Sequence, residues 1–550
     1  MGILITRAQQ EAAPHEACSD NEHSACMQRI LTLKDTLCGP SVMSATRTGS
    51  DSESLPHLAA SKPAGSASNE VDEFWTANRL ALLRDAAQRR RCQPGFHDIH
   101  GFSNSRTLRA SDLRLERFMS SEEWAGAHRI AGAGMPRPEQ PEIVLLTGAT
   151  DLLGRFLLLE TLQRMAAQGC GRVFALVQAR DSLDAVRRLR SSFDSGDPEL
   201  LHLFDSLSER HLSVLAGEAA KPRLGLVKGV YMALAASVDT IIHNEALTDY
   251  ALPYRKLFRP NVLGTVNVIR LALTLRAKAV AFISSVGVIA GVPHPDPVLE
   301  TEDGPSLCTE HPGGGGDQGY AVGFGCSKWA GEVLLRQMHD DFNIPASIFR
   351  CGMLLPHSRF SGQLNRTDFF PRFLFGIANT GLAPDSFYGL PHGPDEHFDG
   401  TPVDVAAAGI VGLAINERSG FDTYHVVNDH WHDGISLDRV VDWISTAGIQ
   451  VTRITKYEQW YQDFRQALSR LDTTQQESSP LPIIEHWRHP LPNSRVTKFD
   501  AANLQCGLMK YTQLAEVPHL SEAYIHQVLR YMMALDLISP DTLKARTAEE

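Results

Sequence analysis

The sequence predicts a doubly wound α/β fold followed by a smaller, mainly helical subdomain. Three observations carry this expectation: short apolar runs bounded by turns, a glycine-bearing turn directly after the first run, and helix-compatible sequence between successive runs. The first run, "EIVLLT" at 142–147, has the texture of a strand buried on both faces of a parallel sheet. After the turn, "LLGRFLLLETLQRMAAQG" at 152–169 reads as a helix and "RVFALVQ" at 172–178 as a second buried strand, which completes one strand–helix–strand unit. Further strands are expected at 212–217, 239–244, 279–285 and 346–352. Beyond about residue 400 the period turns helical, with amphipathic stretches at "LDRVVDWISTAG", "TKYEQWYQDFRQALSRL" and "SEAYIHQVLRYMMALDL".

The N-terminal region is different. Residues 1–70 are rich in Ala, Ser, Thr, Glu and His without sustained period, and are expected to be a disordered arm. Residues 71–140 hold a short amphipathic helix at 72–91 and a linker containing "MPRPEQP". A nucleotide-binding domain is expected at 141–400 and the helical subdomain at 401–550.

Composition narrows the function. A net charge of −12 across 550 residues argues against a general nucleic-acid binder. No apolar run reaches the ~18 residues of a membrane helix. Nine cysteines without a C-x-x-C pair suit a reducing cytoplasm, and His15, Cys18, His23 and Cys26 match no ligand spacing, so no metal is expected. Met1-Gly2 followed by Thr6 fits a loose acylation pattern only formally.

The chemistry is concentrated in two places. Thr147-Gly148-Ala149-Thr150-Asp151-Leu152-Leu153-Gly154 joins a buried strand to a helix, the setting in which free backbone N–H groups and the helix dipole hold a dinucleotide pyrophosphate. Ser284 and Ser285 end a strand at the sheet edge where ligands bind in such folds, and Lys328 lies on the helix of "GYAVGFGCSKWAGEVLLRQM". With "LRASDLRLERF", "SSFDSGDPEL", "LFRPNVLGT", "SKWAGEVLLRQ", "GQLN", "TGLAPDSFY" and "TYHVVN", the chain from about Phe96 onward resembles the thioester reductase domain of carboxylic acid reductases, within the extended short-chain dehydrogenase/reductase superfamily.

The resemblance implies a Rossmann-like fold and NADPH-dependent reduction of an acyl thioester to an aldehyde. It also implies an acyl carrier protein with a phosphopantetheine arm, or coenzyme A, as the acyl donor. No adenylation core or carrier segment is found in this sequence, so a separate adenylating enzyme is expected to make the thioester. By family role, Ser285 and Lys328 are catalytic. The turn 147–154, residue 178, Arg180, Arg188 and Asn261 hold the cofactor, with Asn261 supporting Lys328 through water. Pro253, Tyr254 and the "SFY" at 386–388 are candidates for a thioester channel or for ordinary core; His243 is read as packing near the adenine side, and the glycines 313–316 as a lid or insertion.

Four departures qualify the resemblance. Asp151 replaces a family glycine; it can cap the following helix, but it also places a carboxylate beside the pyrophosphate. Gln178 replaces the arginine that meets the NADPH 2′-phosphate, leaving Arg180 and Arg188 to grip it. Phe324 replaces the tyrosine four residues before Lys328, and phenylalanine cannot donate a proton; Tyr320, Cys326 or water are the possible substitutes. Gly352 stands where carboxylic acid reductases carry Asp, a feature shared with broader thioester reductases, some of which continue to the alcohol. The expected function is thus a thioester reductase impaired at its proton donor. The alternative is a catalytically degenerate, reductase-like binding protein.

Overall fold

The computed structural model describes residues 93–101, 107–135, 142–290, 292–294, 296–312, 321–389, 397–398, 400–491 and 497–539. The expected arm at 1–70, the helix at 72–91, all of "MPRPEQP" except Met135, the glycines 313–316 and Tyr320 lie outside the described residues.

The framework is a seven-stranded, wholly parallel sheet. Its strands are β1 (Ile143–Thr147), β2 (Arg172–Val177), β3 (Leu212–Ala216), β4 (Thr240–His243), β5 (Ala279–Ser285), β6 (Ala346–Cys351) and β7 (Phe421–Val426). Their spatial order is β7-β6-β5-β4-β1-β2-β3. The chain therefore reverses its spatial progress between β1 and β4, and a crevice opens outside their C-terminal ends. The apolar runs of β1, β4 and β5 are buried almost throughout because helices cover both faces.

Three helices position the site residues. Helix α1 (Leu152–Gln168) leaves the turn after β1 and ends at Gly169, which adopts the left-handed conformation that glycine tolerates. Helix α2 (Ser182–Phe193) follows β2 and is capped by the Asp181 carboxylate. Helix α3 (Val322–Phe342) carries the Lys328 motif and is buried along most of its length. A buried ion pair fixes α3 to the sheet: the Arg350 guanidinium donates to both carboxylate oxygens of Glu332, at 3.1 and 2.8 Å, while Ser284 Oγ donates to Glu332 Oε1 at 2.6 Å. Leaving either charge alone in this site would be costly.

The expected boundary at residue 400 requires correction. Helix Val403–Asn416 packs on α1, and β7 pairs along its whole length with β6, so the sheet layer extends to Val426. Conversely, helix Phe369–Thr380 leaves the sheet and joins a separate apolar core with helices Leu437–Thr446, Tyr457–Ser469 and Glu522–Ala534. The helical subdomain thus takes chain from both sides of 400. Upstream, the segment expected as a linker is docked: Leu115 N–H donates to Gln337 Oε1 on α3, and Gln337 Nε2 donates to the Leu113 carbonyl.

Candidate active site

The turn after β1 is built for close approach. Gly148 has φ +72°, and a Cβ there would lie 2.6 Å from the Glu245 backbone nitrogen. A Cβ on Gly154 would lie 1.9 Å from the Gly148 carbonyl oxygen. The backbone thus packs more tightly than any side chain allows, and the N-terminus of α1 is presented at the crevice. Around it, Thr147 Oγ1 and His243 Nδ1 are 2.8 Å apart, Thr147 Oγ1 accepts the Glu245 N–H, and Asn244 Nδ2 donates to the Gly148 carbonyl. His243 is fully buried and also meets Thr265 Oγ1; burial pushes its pKa down to about 3, so it remains neutral and serves as a strut.

Asp151 occupies the N-cap position of α1, yet its side chain makes no cap hydrogen bond. The capping role open to it in the sequence is therefore not used. Its side chain reaches solvent, but the crowding of the crevice outweighs the attraction of Arg155 and Lys328 and raises its carboxyl pKa to about 6. A second carboxylate stands beside it. Glu245 accepts the Ala219 N–H, and burial together with the charges of Glu218 and Asp151 raises its pKa to about 7. Sequence reasoning missed Glu245; the available signal was an acidic residue two positions past the end of β4, at the ligand edge of the sheet.

Ser285 ends β5, and Lys328 reaches the same strand at Ile283. Ser285 Oγ accepts the Gly287 N–H at 3.1 Å, which leaves its own proton free to donate outward. The Lys328 ammonium donates to the Ile283 carbonyl at 2.7 Å and lies 5.0 and 5.6 Å from the ring centres of Phe282 and Phe324. Burial lowers its pKa to about 8 against the opposing charges of Cys351, Asp151 and Glu332. Lys328 and Asp151 thus lie within electrostatic reach of each other. Close packing joins β5 to α3 as well: a Cβ on Gly325 would lie 1.9 Å from the Gly287 carbonyl oxygen. Gly352 sits beside this edge, one residue beyond the Ser285–Cys351 pairing.

Phe324 is 5% exposed and packs edge-to-face against Tyr250, with ring centres 5.2 Å apart. Cys326 cannot replace the missing tyrosine: it is wholly buried, and its thiol pKa is pushed well above the usual value.

Other expected site residues separate into two groups. Gln178 is exposed at the end of β2, and its carbonyl accepts from the Arg188 guanidinium. Arg180 is exposed as well, with Nε 3.5 Å from Asp184 Oδ2, so both arginines border the β2 end. Leu152 and Thr150 are half-buried and Leu153 is buried, as the turn requires. Asn261 lies in a π-helical turn, Phe258–Leu263, where Oδ1 accepts the Leu247 N–H at 2.8 Å and Nδ2 donates to the Leu247 carbonyl and to Ser327 Oγ. These bonds fix the loop after β4.

The aromatic channel candidates resolve as core. Tyr254 is buried with its hydroxyl 3.2 Å from His100 Nε2, Phe387 belongs to the helical core, and Ser386 Oγ donates to Asp438. Pro253, Ser386 and Tyr388 keep partial exposure.

The arrangement fits a dinucleotide in its backbone: a positive-φ glycine cradle, a helix N-terminus and a lysine near the serine hydroxyl. Its charges fit less well, because Asp151 and Glu245 oppose a pyrophosphate.

A family model described as "Male sterility protein", NAD_binding_4, matches residues 146–410. The carboxylic acid reductase of Segniliparus rugosus is 39% identical over 452 residues, covering 81% of this chain and 37% of that protein. The isonitrile lipopeptide synthase of Mycobacterium tuberculosis is 39% identical over 477 residues, covering 83% of this chain and 18% of that protein. The chain therefore spans well under half the length of either relative. Among solved structures, the reductase (R) domain of a nonribosomal peptide synthetase from Mycobacterium tuberculosis is 37% identical with a TM-score of 0.71, covering 78% of this chain and 100% of that one. The likeness over that domain's whole length makes this chain a member of the NAD(P)-binding reductase-domain family that includes those of carboxylic acid reductases and nonribosomal peptide synthetases.

Proposed function

We propose that this protein reduces an acyl thioester, presented on a phosphopantetheine arm or coenzyme A, to an aldehyde with NADPH. The reading is supported by the tight glycine turn at the N-terminus of α1 and by Lys328, which lies within electrostatic reach of Asp151 in that turn and bonds the Ile283 carbonyl two residues before Ser285. The turn from Thr147 to Gly154 would hold the pyrophosphate, and Arg180 and Arg188 would meet the 2′-phosphate in place of an arginine at Gln178. Bound there, the nicotinamide supplies a hydride for the thioester carbonyl carbon. Ser285 donates its free hydroxyl proton in a hydrogen bond to the carbonyl oxygen as charge develops there. The Lys328 ammonium, held by the Ile283 carbonyl, supplies positive charge to the same region. The oxyanion takes a proton to give a hemithioacetal; cleavage of its C–S bond moves the hydroxyl proton to the departing sulfur and releases aldehyde and free thiol. Phe324 offers no proton, so water or another group must deliver it and turnover is slow.

In this reading residues 142–426 form the reductase layer, and the helical subdomain helps to hold the acyl carrier. An adenylating protein or module forms the thioester, and the five free cysteines of the described region suit a reducing cytoplasm. Among the described residues no helix is long and apolar enough to cross a membrane. The second reading, binding without turnover, is favoured by one specific feature: two carboxylates and a phenylalanine gather where cofactor affinity and proton donation are needed.

Product analysis tests the proposal. With NADPH and an acyl-CoA, the protein is expected to form aldehyde and free thiol in step with NADPH oxidation. Cofactor binding without either product would leave the binding-protein reading.

A further inference from the structure

A cavity of about 390 Å³ opens directly beyond the candidate serine. Its wall begins with Val286 and Gly287, and Gly287 N–H donates to Ser285 Oγ. The opposite wall comes from Val427 and Trp431, which follow β7, and from Phe499. The cavity thus lies at the C-terminal edge of the sheet, beside the loop whose Gly287 N–H holds the serine oxygen.

The lining has a definite chemistry. Among the described residues that form it, none is Asp, Glu, Lys or Arg. Three of its polar side chains are engaged within the protein: His397 meets Asp433 at 3.1 Å and the Asn428 carbonyl at 2.9 Å, and His294 meets Thr497 Oγ1 at 3.3 Å. Burying a carboxylate against such a wall would be expensive, whereas a flat or branched apolar group would gain from the Trp431 and Phe499 rings. The volume lies at the small end of the ~300–1,000 Å³ usual for ligand pockets. A long acyl chain would exceed it.

We infer that this cavity is the acyl pocket and that it takes a compact, uncharged, apolar acyl group of about benzoyl size, with long-chain and acid-terminated groups excluded. The inference rests on the thioester-reductase reading, which assigns Ser285 to the acyl carbonyl.

Binding is tested apart from turnover. The full-length protein with NADP⁺ is titrated with non-hydrolysable thioether analogues of benzoyl-, palmitoyl- and succinyl-CoA. The benzoyl analogue is expected to bind at least about tenfold more tightly than either other, a difference of about 1.4 kcal/mol. Ala290→Trp, which projects into the cavity from a half-exposed position, should abolish that preference while leaving the melting temperature and NADPH affinity unchanged. Ala290→Phe is the milder variant if the tryptophan disturbs folding. Equal binding of the three analogues, or a preference that survives both fillings in folded protein, would overturn the inference. Benzoyl preference without oxidation of NADPH by benzoyl-CoA would retain the pocket and defeat the reductase reading; failure of every analogue to bind beside tight NADPH binding would defeat both.

Discussion

Restoring a phenol at position 324 is the most informative single change. Phe324 lies one helical turn before Lys328, and its ring centre is 5.6 Å from the lysine nitrogen. A hydroxyl added to this ring would lie on the lysine side of the crevice only if the ring keeps its present packing against Tyr250. A positioned general acid contributes about 10²–10⁴ in rate, or about 3–5 kcal/mol of barrier. Against this stands the cost of a new hydroxyl at a site that is 5% exposed, about 1–3 kcal/mol if it finds no partner. That cost falls on folding stability and is read separately, as a lower melting temperature. The Phe324→Tyr variant is therefore expected to raise kcat for NADPH oxidation with an acyl-CoA by about 100-fold or more, with little change in NADPH affinity. The Lys328 ammonium, with a pKa near 8, would also lower the pKa of the new phenol and move the basic limb of the rate profile. An unchanged kcat in a folded variant with unchanged cofactor affinity would show that residue 324 does not face the reacting carbonyl.

Three further outcomes are expected from the same geometry. Asp151→Gly should tighten NADPH binding by roughly 5- to 30-fold, because a charge about 5 Å from a phosphate costs ~1 kcal/mol at the dielectric of water and ~3 kcal/mol at an effective value of 20, and Asp151 reaches solvent; fluorescence titration reads the change. In the parent protein, NADPH affinity should rise as pH falls from 8 to below 6, since Glu245 and then Asp151 gain protons near their raised pKa values of about 7 and 6; in Asp151→Gly the lower step should vanish. Arg350→Met should destabilise the fold by about 3–5 kcal/mol in urea melts by leaving Glu332 buried without its partner, whereas the added change Glu332→Gln should recover much of the loss.

The sheet was legible in the sequence wherever strands are buried on both faces. The runs from "EIVLLT" to "ASIFRCG" gave six strands with ends accurate to about one residue, because apolar runs between turns have few other uses. The seventh strand, "FDTYHV", escaped because Asp422, Thr423 and His425 interrupt its apolar run. Its polar residues serve local purposes: His425 meets Arg350 and the Asp500 carbonyl. Missing it also misplaced the boundary at 400.

The local geometry of the glycine turn, a strand end passing into a helix N-terminus, was legible in the sequence because glycine spacing constrains the backbone. The candidate site was not legible where a role depends on three-dimensional neighbours. Glu245 enters the site because Gly148 packs on its backbone, a contact between residues 97 positions apart. Asn261 has direct partners, Leu247 and Ser327, that spacing in the sequence does not disclose. Tyr254 and Phe387 have the composition of channel linings, and only their burial identifies them as core.

A structure determined with bound NADP⁺ would test the proposed site most directly. The pyrophosphate should rest on the backbone of residues 148–154, with the nicotinamide ring between the Ser285 hydroxyl and the Lys328 ammonium and facing the 390 Å³ cavity. A dinucleotide held elsewhere on the protein, or a nicotinamide remote from both side chains, would contradict it.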